Sequence, residues 1–464
     1  MSELLFRTFE ALALKLGIAS ERVAVGVSGG RDSMALSLLA KKTIRNVTAI
    51  TVDHRLRSES ELEAKFVQTQ MTKMCIPHSV VQCSWPHSHP VKSQLQQQAR
   101  QARYHLLATE CARLKINHLL LAHQLNDQIE TVIHRIGRAS GIDGLSGMKM
   151  VTRWKSNSSL LLIRPLLNFT REDVTEFCLD NGISWLDDPS NENKDFRRVA
   201  IRSSLASVLS HSNVSIRDLQ EVTEMVRDAN DIANNEVAHI IKSCVTVIEE
   251  FGYVELDVSS IAHLSAMTLN RLFSKLLMYV SGLRYPPSLE SVYKLLTNNI
   301  MNQRRLSLPP IAVGGCLVFV YKTSKLDKSL RLVICRQPAE RSEESQSLSM
   351  GERLWWDGRF VISSQLCNQS ADWKSNPVCF NVRSLKKLDF LLLKCDKDAC
   401  DRLHSVPLFC RLALPVICNA ATHTVVSIPH LRYTNGSEKI EWKITPCPRH
   451  PLPQQTSLCQ TKEQ

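Results

Sequence analysis

Ser28-Gly29-Gly30-Arg31-Asp32-Ser33 follows the apolar run Val23-Ala24-Val25-Gly26-Val27 and leads into the helix-prone Met34-Ala35-Leu36-Ser37-Leu38-Leu39. A strand, a glycine turn and a helix start in that order make a site for phosphates. The first backbone N–H groups of a helix lack partners inside it, and the helix dipole favours negative charge there. Gly29 and Gly30 let the backbone approach a polyanion, and Ser28 and Ser33 add hydroxyls. No Gly-Lys-Ser/Thr follows, so the run is not a Walker A loop.

A second group of chemical residues lies further on. His123, Asn126, Asp127 and Glu130 sit at one predicted helix start, with Asp127 and Glu130 three apart and so on one face. Helix capping is the other reading of these residues, and the two uses are compatible. Asp53-His54 ends the second predicted strand, where Asp53 reads either as a ligand carboxylate or as a turn cap. Arg100, Arg103, Arg135, Arg138, Arg164, Arg198 and Arg202 are candidates for phosphates, of a nucleotide or of an RNA backbone, with surface salt bridging as the alternative. Gly141, Gly144 and Gly147 predict a flexible loop between them.

The pattern S-G-G-x-D-S after a strand resembles the PP-loop of the ATP pyrophosphatases, which split ATP into AMP and pyrophosphate. Four further runs narrow the choice. They are Asp53-His54-Arg55-Leu56-Arg57, Ala99-Arg100-Gln101-Ala102-Arg103-Tyr104, His123 to Thr131 continuing through Arg135 to Met148, and Arg164-Pro165-Leu166-Leu167 with Trp185 to Asn191. Together they resemble the tRNA(Ile)-lysidine synthetase family over roughly Val23 to Arg202. That family attaches lysine to the wobble cytidine of an isoleucine tRNA. Val406-Pro407, Arg411, Leu414-Pro415-Val416 and Val425 to Pro429 are similar to the end of its C-terminal module.

The resemblance implies ATP bound at Ser28, Gly29, Gly30, Arg31, Asp32, Ser33 and Asp53, with Asp32 as the carboxylate for Mg²⁺. It also implies lysine, tRNA and ATP as partners. The attacking amine has an ordinary pKa near 10.4 and must lose a proton. Asp32, His123, Asn126, Asp127 and Glu130 are the candidates to bind it or take that proton. The chain departs from the family pattern twice, with Asn126-Asp127 for two adjacent acids and Arg198-Val199 for Arg-Asn. A PP-loop RNA thiolase and a tRNA-binding paralogue without catalysis are the alternatives. Neither Cys75, Cys83, Cys111 nor Cys178 has a paired cysteine nearby, which weighs against the thiolase.

These residues need a scaffold. Short β-branched runs at Val23–Val27, Val47–Val52, Ser79–Cys83, His118–Ala122 and Leu160–Ile163 alternate with helical stretches near 34–42, 59–74, 94–115, 127–138 and 171–181. That alternation predicts an α/β fold, a parallel sheet with helices on both faces and ligands at the carboxyl ends of the strands. From Arg197 to about Asn299 the pattern is helical, and the stripe Leu219, Val222, Val226, Ile232, Val237 reads as core. Strands follow at Ile311–Tyr321 and Leu330–Cys335, then a polar linker at 337–347 and a small β-rich module. The expected domains are 1–205 (PP-loop), 206–336 (mainly helical and tRNA-binding), 350–445 (β-rich) and 446–464 (disordered tail).

Composition sets the outer limits. At 464 residues the chain is long enough for two or three domains, and its net charge of +12 suits a polyanionic partner. No apolar run approaches the roughly 18 residues of a membrane span. Fifteen cysteines without framework spacing suit a reducing, intracellular compartment, cytoplasmic or mitochondrial. The early first strand leaves little room for a cleavable presequence. A homodimer is compatible with all of this. Cys395, Cys400, Cys410 and Cys418 with His404 lack the short spacings of structural zinc sites.

Overall fold

The computed structural model describes residues 2–55, 60–85, 95–138, 141–154, 157–187, 197–283, 286–295, 310–322, 330–338, 345–366, 379–435 and 440–453. They divide into two compact units, Met1–Asp231 and Ile232–Gln464.

The first unit is the expected α/β sheet. In chain order it runs α1 (Ser2–Lys15), β1 (Arg22–Gly26), α2 (Arg31–Thr43), β2 (Asn46–Asp53), α3 (Ser60–Lys73), β3 (His78–Gln82), α4 (Leu95–Arg113) and β4 (His118–Leu120). Then come α5 (Leu125–Ile136), the short α6 (Gly141–Leu145), β5 (Val151–Trp154), β6 (Asn157–Ile163), α7 (Arg171–Asp180), α8 (Arg197–His211) and α9 (Ile216–Cys244). The strand order is β3-β2-β1-β4-β6-β5, parallel except for β5, which pairs antiparallel with β6 at the edge.

Strand period explains the two layers. Val23 and Val25 of β1 face a core built with Leu5, Phe9, Leu36, Leu39 and Phe177 of the helices. Ala24 between them faces the opposite layer, with Leu107 and Cys111 of α4. All three β1 residues are fully buried, as a strand covered on both sides must be. Truncating Leu36 to Ala would cost about 2–5 kcal/mol.

The order also fixes where a ligand can sit. The chain moves outward from β1 to β2 and β3, then returns across β1 to β4. The crevice between the carboxyl ends of β1 and β4 is therefore a topological switch point. The loop after β1 carries Ser28 to Ser33, and the loop after β4 carries His123 and Gln124.

The second unit is more β-rich than its sequence pattern suggests. β7 (Val245–Ile248) and β8 (Tyr253–Asp257) form a hairpin inside the stretch read as helical. The hairpin turns at Gly252, where φ is +67°. It is followed by α10 (Val258–Ile261), α11 (Ala266–Ser281) and α12 (Leu289–Leu295). β9 (Ile311–Val313), β10 (Cys316–Lys322) and β11 (Leu330–Arg336) complete a five-stranded sheet, β7-β8-β11-β10-β9. Leu272, Phe273 and Leu276 of α11 are fully buried in its core with Val254 and Leu332.

Two further sheets make up the C-terminal part. One joins β12 (Gln346–Ser349), β15 (Cys379–Ser384), β16 (Pro415–Asn419), β17 (Val425–Ile428) and β18 (Tyr433–Thr434). The other joins β13 (Arg353–Trp356), β14 (Phe360–Leu366) and β19 (Ile440–Pro446). The expected tail from 446 begins with structure: Pro446 pairs with Phe360, and Leu452 is buried in the core around α11. Pro446 is the last residue of β19, and Leu452 is the apolar side chain beyond it that finds a core. Residues 454–464 lie outside the described residues.

Candidate active site

The loop after β1 is shaped by its two glycines and closed by one serine. Gly29 adopts φ +85°, and a Cβ there would come within 3.0 Å of Val67 and 3.3 Å of Leu186. Gly30 is the N-cap of α2, which places Arg31, Asp32 and Ser33 in the first turn. Ser33 is buried, and its hydroxyl donates to the Gly30 carbonyl at 2.8 Å and accepts the Ser28 N–H at 3.2 Å. Ser33 thus holds the loop's shape, while Ser28 is exposed, its hydroxyl 3.3 Å from that of Ser33. The turn is further tied by Leu186, whose N–H donates to the Gly29 carbonyl at 3.0 Å.

Asp32 faces the acids of α5 across the crevice. Its Oδ1 accepts from Arg31 Nε at 3.1 Å, and its Oδ2 accepts from Gln124 Nε2 at 3.2 Å. Burial pushes the Asp32 carboxyl above its usual range; Arg31 pulls it back, Asp127 pushes it up further, and Arg171 pulls it down. Asp127 Oδ2 accepts the Gln124 backbone N–H at 3.1 Å, a helix cap as well as a charge. Asn126 Oδ1 accepts the Arg171 N–H at 3.0 Å and so joins the starts of α5 and α7. Glu130 is 1% exposed; its Oε1 accepts from Arg202 Nε at 2.7 Å, and its Oε2 has no partner. His123 lies half-buried between β4 and α5. The site therefore gathers three carboxylates, Asp32, Asp127 and Glu130, with Arg31, Arg171 and Arg202 beside them.

A model of the PP-loop domain family matches residues 4–209. The chain is 28% identical over 425 residues to a tRNA(Ile)-lysidine synthase of Orientia tsutsugamushi, covering 89% of each protein. It is 30% identical to the tRNA(Ile)-lysidine synthase of Rickettsia akari over 92% of this chain and 93% of that one. The corresponding protein of Ruegeria pomeroyi is 32% identical over 74% of this chain and 76% of its own. The chain belongs to the tRNA(Ile)-lysidine synthase family. A PP-loop α/β domain, a nucleotide-binding loop and a ligase activity come with that membership.

Within this family member, the other candidate residues separate by what they touch. Asp53 is buried at the end of β2 and accepts the Arg55 N–H at 2.9 Å, so its carboxylate caps its own turn. Arg164 is 8% exposed and donates to the Lys149 carbonyl at 2.8 Å and to Thr152 Oγ1 at 3.1 Å. Arg135 donates to the carbonyls of Gly144 at 3.1 Å and Gly147 at 2.8 Å. Burial holds both guanidiniums below their ordinary pKa. Arg100 and Arg103 flank the ring of Tyr104 at 5.1 and 5.9 Å, and Tyr104 stacks on Trp154 at 5.7 Å. Arg138 is exposed just past α5. The side chain of Arg198 and the run Asp188–Asn191 lie outside the described residues.

The glycine-rich segment after α5 differs from its sequence reading. Gln128 clasps Met148, donating to its carbonyl at 3.0 Å and accepting its N–H at 2.6 Å. Arg135 and Arg227 hold the carbonyls of Gly144, Gly147 and Ser146. Gly147 is needed because a Cβ would sit 2.7 Å from Gln128 Nε2, with φ at +68°. Residues 141–148 are strapped down by long side chains, which glycine counting does not register.

Gln124, Gln128 and Arg171 are the site residues that sequence reasoning passed over. Gln124 and Gln128 lie inside the run that was singled out, yet neither is charged. Arg171 had no local signal beyond opening a helix. Among the described residues no three His, Cys, Asp or Glu side chains form a metal cluster. Mg²⁺ held by one carboxylate plus substrate phosphates needs no such cluster, and Asp32 in the phosphate turn fits that use. No described helix is long and apolar enough to cross a membrane.

Proposed function

We propose that this protein uses ATP to adenylate the wobble cytidine of an isoleucine tRNA and joins lysine to it, releasing pyrophosphate and AMP. The observation that carries the reading is the meeting of Asp32, in the phosphate turn, with Asp127 and Glu130 of α5 at the switch point. Family membership names the reaction; the geometry supports the parts given below to these residues.

The C2 oxygen of cytosine is a poor leaving group. It attacks the α-phosphorus of ATP, the bond to pyrophosphate breaks, and the C2–O–AMP ester forms. The turn from Ser28 to Ser33, with α2's first N–H groups, receives the departing pyrophosphate. Mg²⁺ on Asp32 and the phosphates would supply charge neutralisation there. The lysine amine then attacks C2, AMP leaves with the C–O bond pair, and one proton leaves the nitrogen. Glu130 Oε2, buried and without a partner, is the natural acceptor for the lysine ammonium, and Asp127 or His123 takes the proton. Arg100, Arg103, Arg138 and Arg198 are the candidates to contact tRNA phosphates, in keeping with the net charge of +12.

A thiolase reading fares worse. Cys83, Cys111 and Cys178 are buried, and burial pushes their thiols up, Cys111 and Cys178 to about 12. The free cysteines of the described residues fit a reducing compartment. The test is incubation with ATP, radiolabelled lysine and tRNA, scoring label in RNA while each component is omitted in turn. Label that needs all three supports the reading. ATP turnover without label, or no turnover with folded protein, overturns it.

A further inference from the structure

Gln124 touches both halves of the site. Its side-chain Nε2 donates to Asp32 Oδ2 at 3.2 Å, and its backbone N–H donates to Asp127 Oδ2 at 3.1 Å. The opposite amide orientation would set its oxygen against the Asp32 carboxylate, acceptor to acceptor, so the donor assignment follows from chemistry. The neighbouring Leu125 N–H is anchored on the Phe169 carbonyl at 2.8 Å, which fixes the backbone from which Gln124 reaches.

A second observation concerns what this arrangement costs. Gln124 is 1% exposed, and its Oε1 is buried with no hydrogen-bond partner. A buried amide oxygen without a donor is unfavourable, whereas leucine or methionine would fill similar space with no such penalty. Packing alone does not account for glutamine here. Its donor does, because Asp32 and Asp127 carry like charge in one crevice, and a neutral donor holds Asp32 without adding to it.

We propose that Gln124 is a positioning residue that sets the Asp32 carboxylate for Mg–ATP. Arg31 on Oδ1 and Gln124 on Oδ2 fix the carboxylate from both ends, and each oxygen keeps a further lone pair for an incoming ligand. The inference rests on the reading of Asp32 as the ATP-side carboxylate.

The experiment is a double-mutant cycle read by ATP affinity. Calorimetry in Mg²⁺ buffer, without tRNA or lysine, is run on wild type, Gln124→Leu, Asp32→Asn and the double variant, with a thermal melt of each. Gln124→Leu is expected to weaken ATP binding about tenfold while melting at or above the wild-type temperature, since a donor to a charged group is lost and an unsatisfied oxygen removed. In the Asp32→Asn background the same change is expected to alter affinity less than about twofold. Gln124→His, which restores an N–H donor, should recover most of the affinity. An equal loss in both backgrounds, or no loss on Gln124→Leu, overturns the proposal. If Asp32→Asn itself binds ATP as tightly as wild type, the reading of Asp32 fails, and this proposal fails with it.

Discussion

Arg202 of α8 donates to Glu130 of α5 across 2.7 Å, and Glu130 is almost entirely buried while Arg202 is about one-third exposed. The Arg202 guanidinium is lowered by burial but raised more by Glu130, Asp127 and Asp32, so the acids win and it sits above its ordinary value. An arginine expected to meet RNA phosphate is paired with a buried carboxylate of the candidate site.

Arg202→Met should therefore destabilise the protein by about 1–3 kcal/mol, less than the loss for a fully buried pair because Arg202 is partly solvated. Urea unfolding reads this. The slope of tRNA affinity against salt should stay unchanged, where loss of one phosphate contact would shift it by about 0.9.

Asp32→Ala should abolish pyrophosphate release with the fold intact. Asp32 is half-buried in a turn whose shape is held by Ser33 and Leu186 rather than by its own carboxylate. Pyrophosphate release measured beside a thermal melt checks both halves. Turnover in a folded variant would remove Asp32 from the chemistry.

Asn126→Asp should raise kcat/KM for lysine several-fold. A carboxylate can accept the Arg171 N–H as the amide oxygen does, and it brings charge to a site proposed to bind the lysine ammonium. Charge-assisted hydrogen bonds are roughly twice as strong as neutral ones, which makes a gain of about 1 kcal/mol the expectation. Lysine-dependent kinetics decide it; a flat result would mean that repulsion from Asp127 cancels the gain.

Gly147→Ala should unfasten the segment after α5. The added Cβ collides with Gln128 and the backbone is held at positive φ, so a loss of about 1–3 kcal/mol is expected. Faster hydrogen exchange at Met148 would show the clasp has opened.

His430 gives the pH dependence. It is buried against Phe360, with ring centroids 4.9 Å apart, and burial followed by the nearby Arg359 lowers its pKa to about 3. The unfolded chain takes up this proton near pH 6.5 and the folded one does not until about 3. Stability is thus full above about pH 6.5 and falls progressively as pH drops toward 3. At pH 5 the loss from this group is about 2 kcal/mol. His430→Phe should flatten that part of the stability curve between pH 7 and 5, measured by denaturant midpoints.

How far the sequence could be read depends on how local the cause was. The spacing of the stripe on α9 predicts core, yet Val237 is buried while Val222 is 57% and Ile232 70% exposed. Leu219 and Val222 line an open apolar groove of about 490 Å³ with Ile133, Ile136, Leu205 and Val208. Periodicity states that one face is apolar and cannot state what meets it. The hairpin at β7 and β8 is hidden for a different reason: its strands are only four and five residues long, without strict alternation, and they follow directly on the 29-residue α9.

The sequence by itself determined the parts whose physics is local. Those are the glycine turn after β1, the helix that starts at its end, the alternation that builds a parallel sheet, and the acids three apart on α5. Each depends on neighbours within a few residues in the chain. Tertiary structure alone decided which charges are used and how. Glu130 lies 72 positions from Arg202, and Asp32 lies 92 from Gln124. No spacing rule joins residues so far apart; the strand order that brings β1 beside β4 joins Asp32 to Gln124, the packing of α8 on α5 joins Arg202 to Glu130, and burial makes those hydrogen bonds matter.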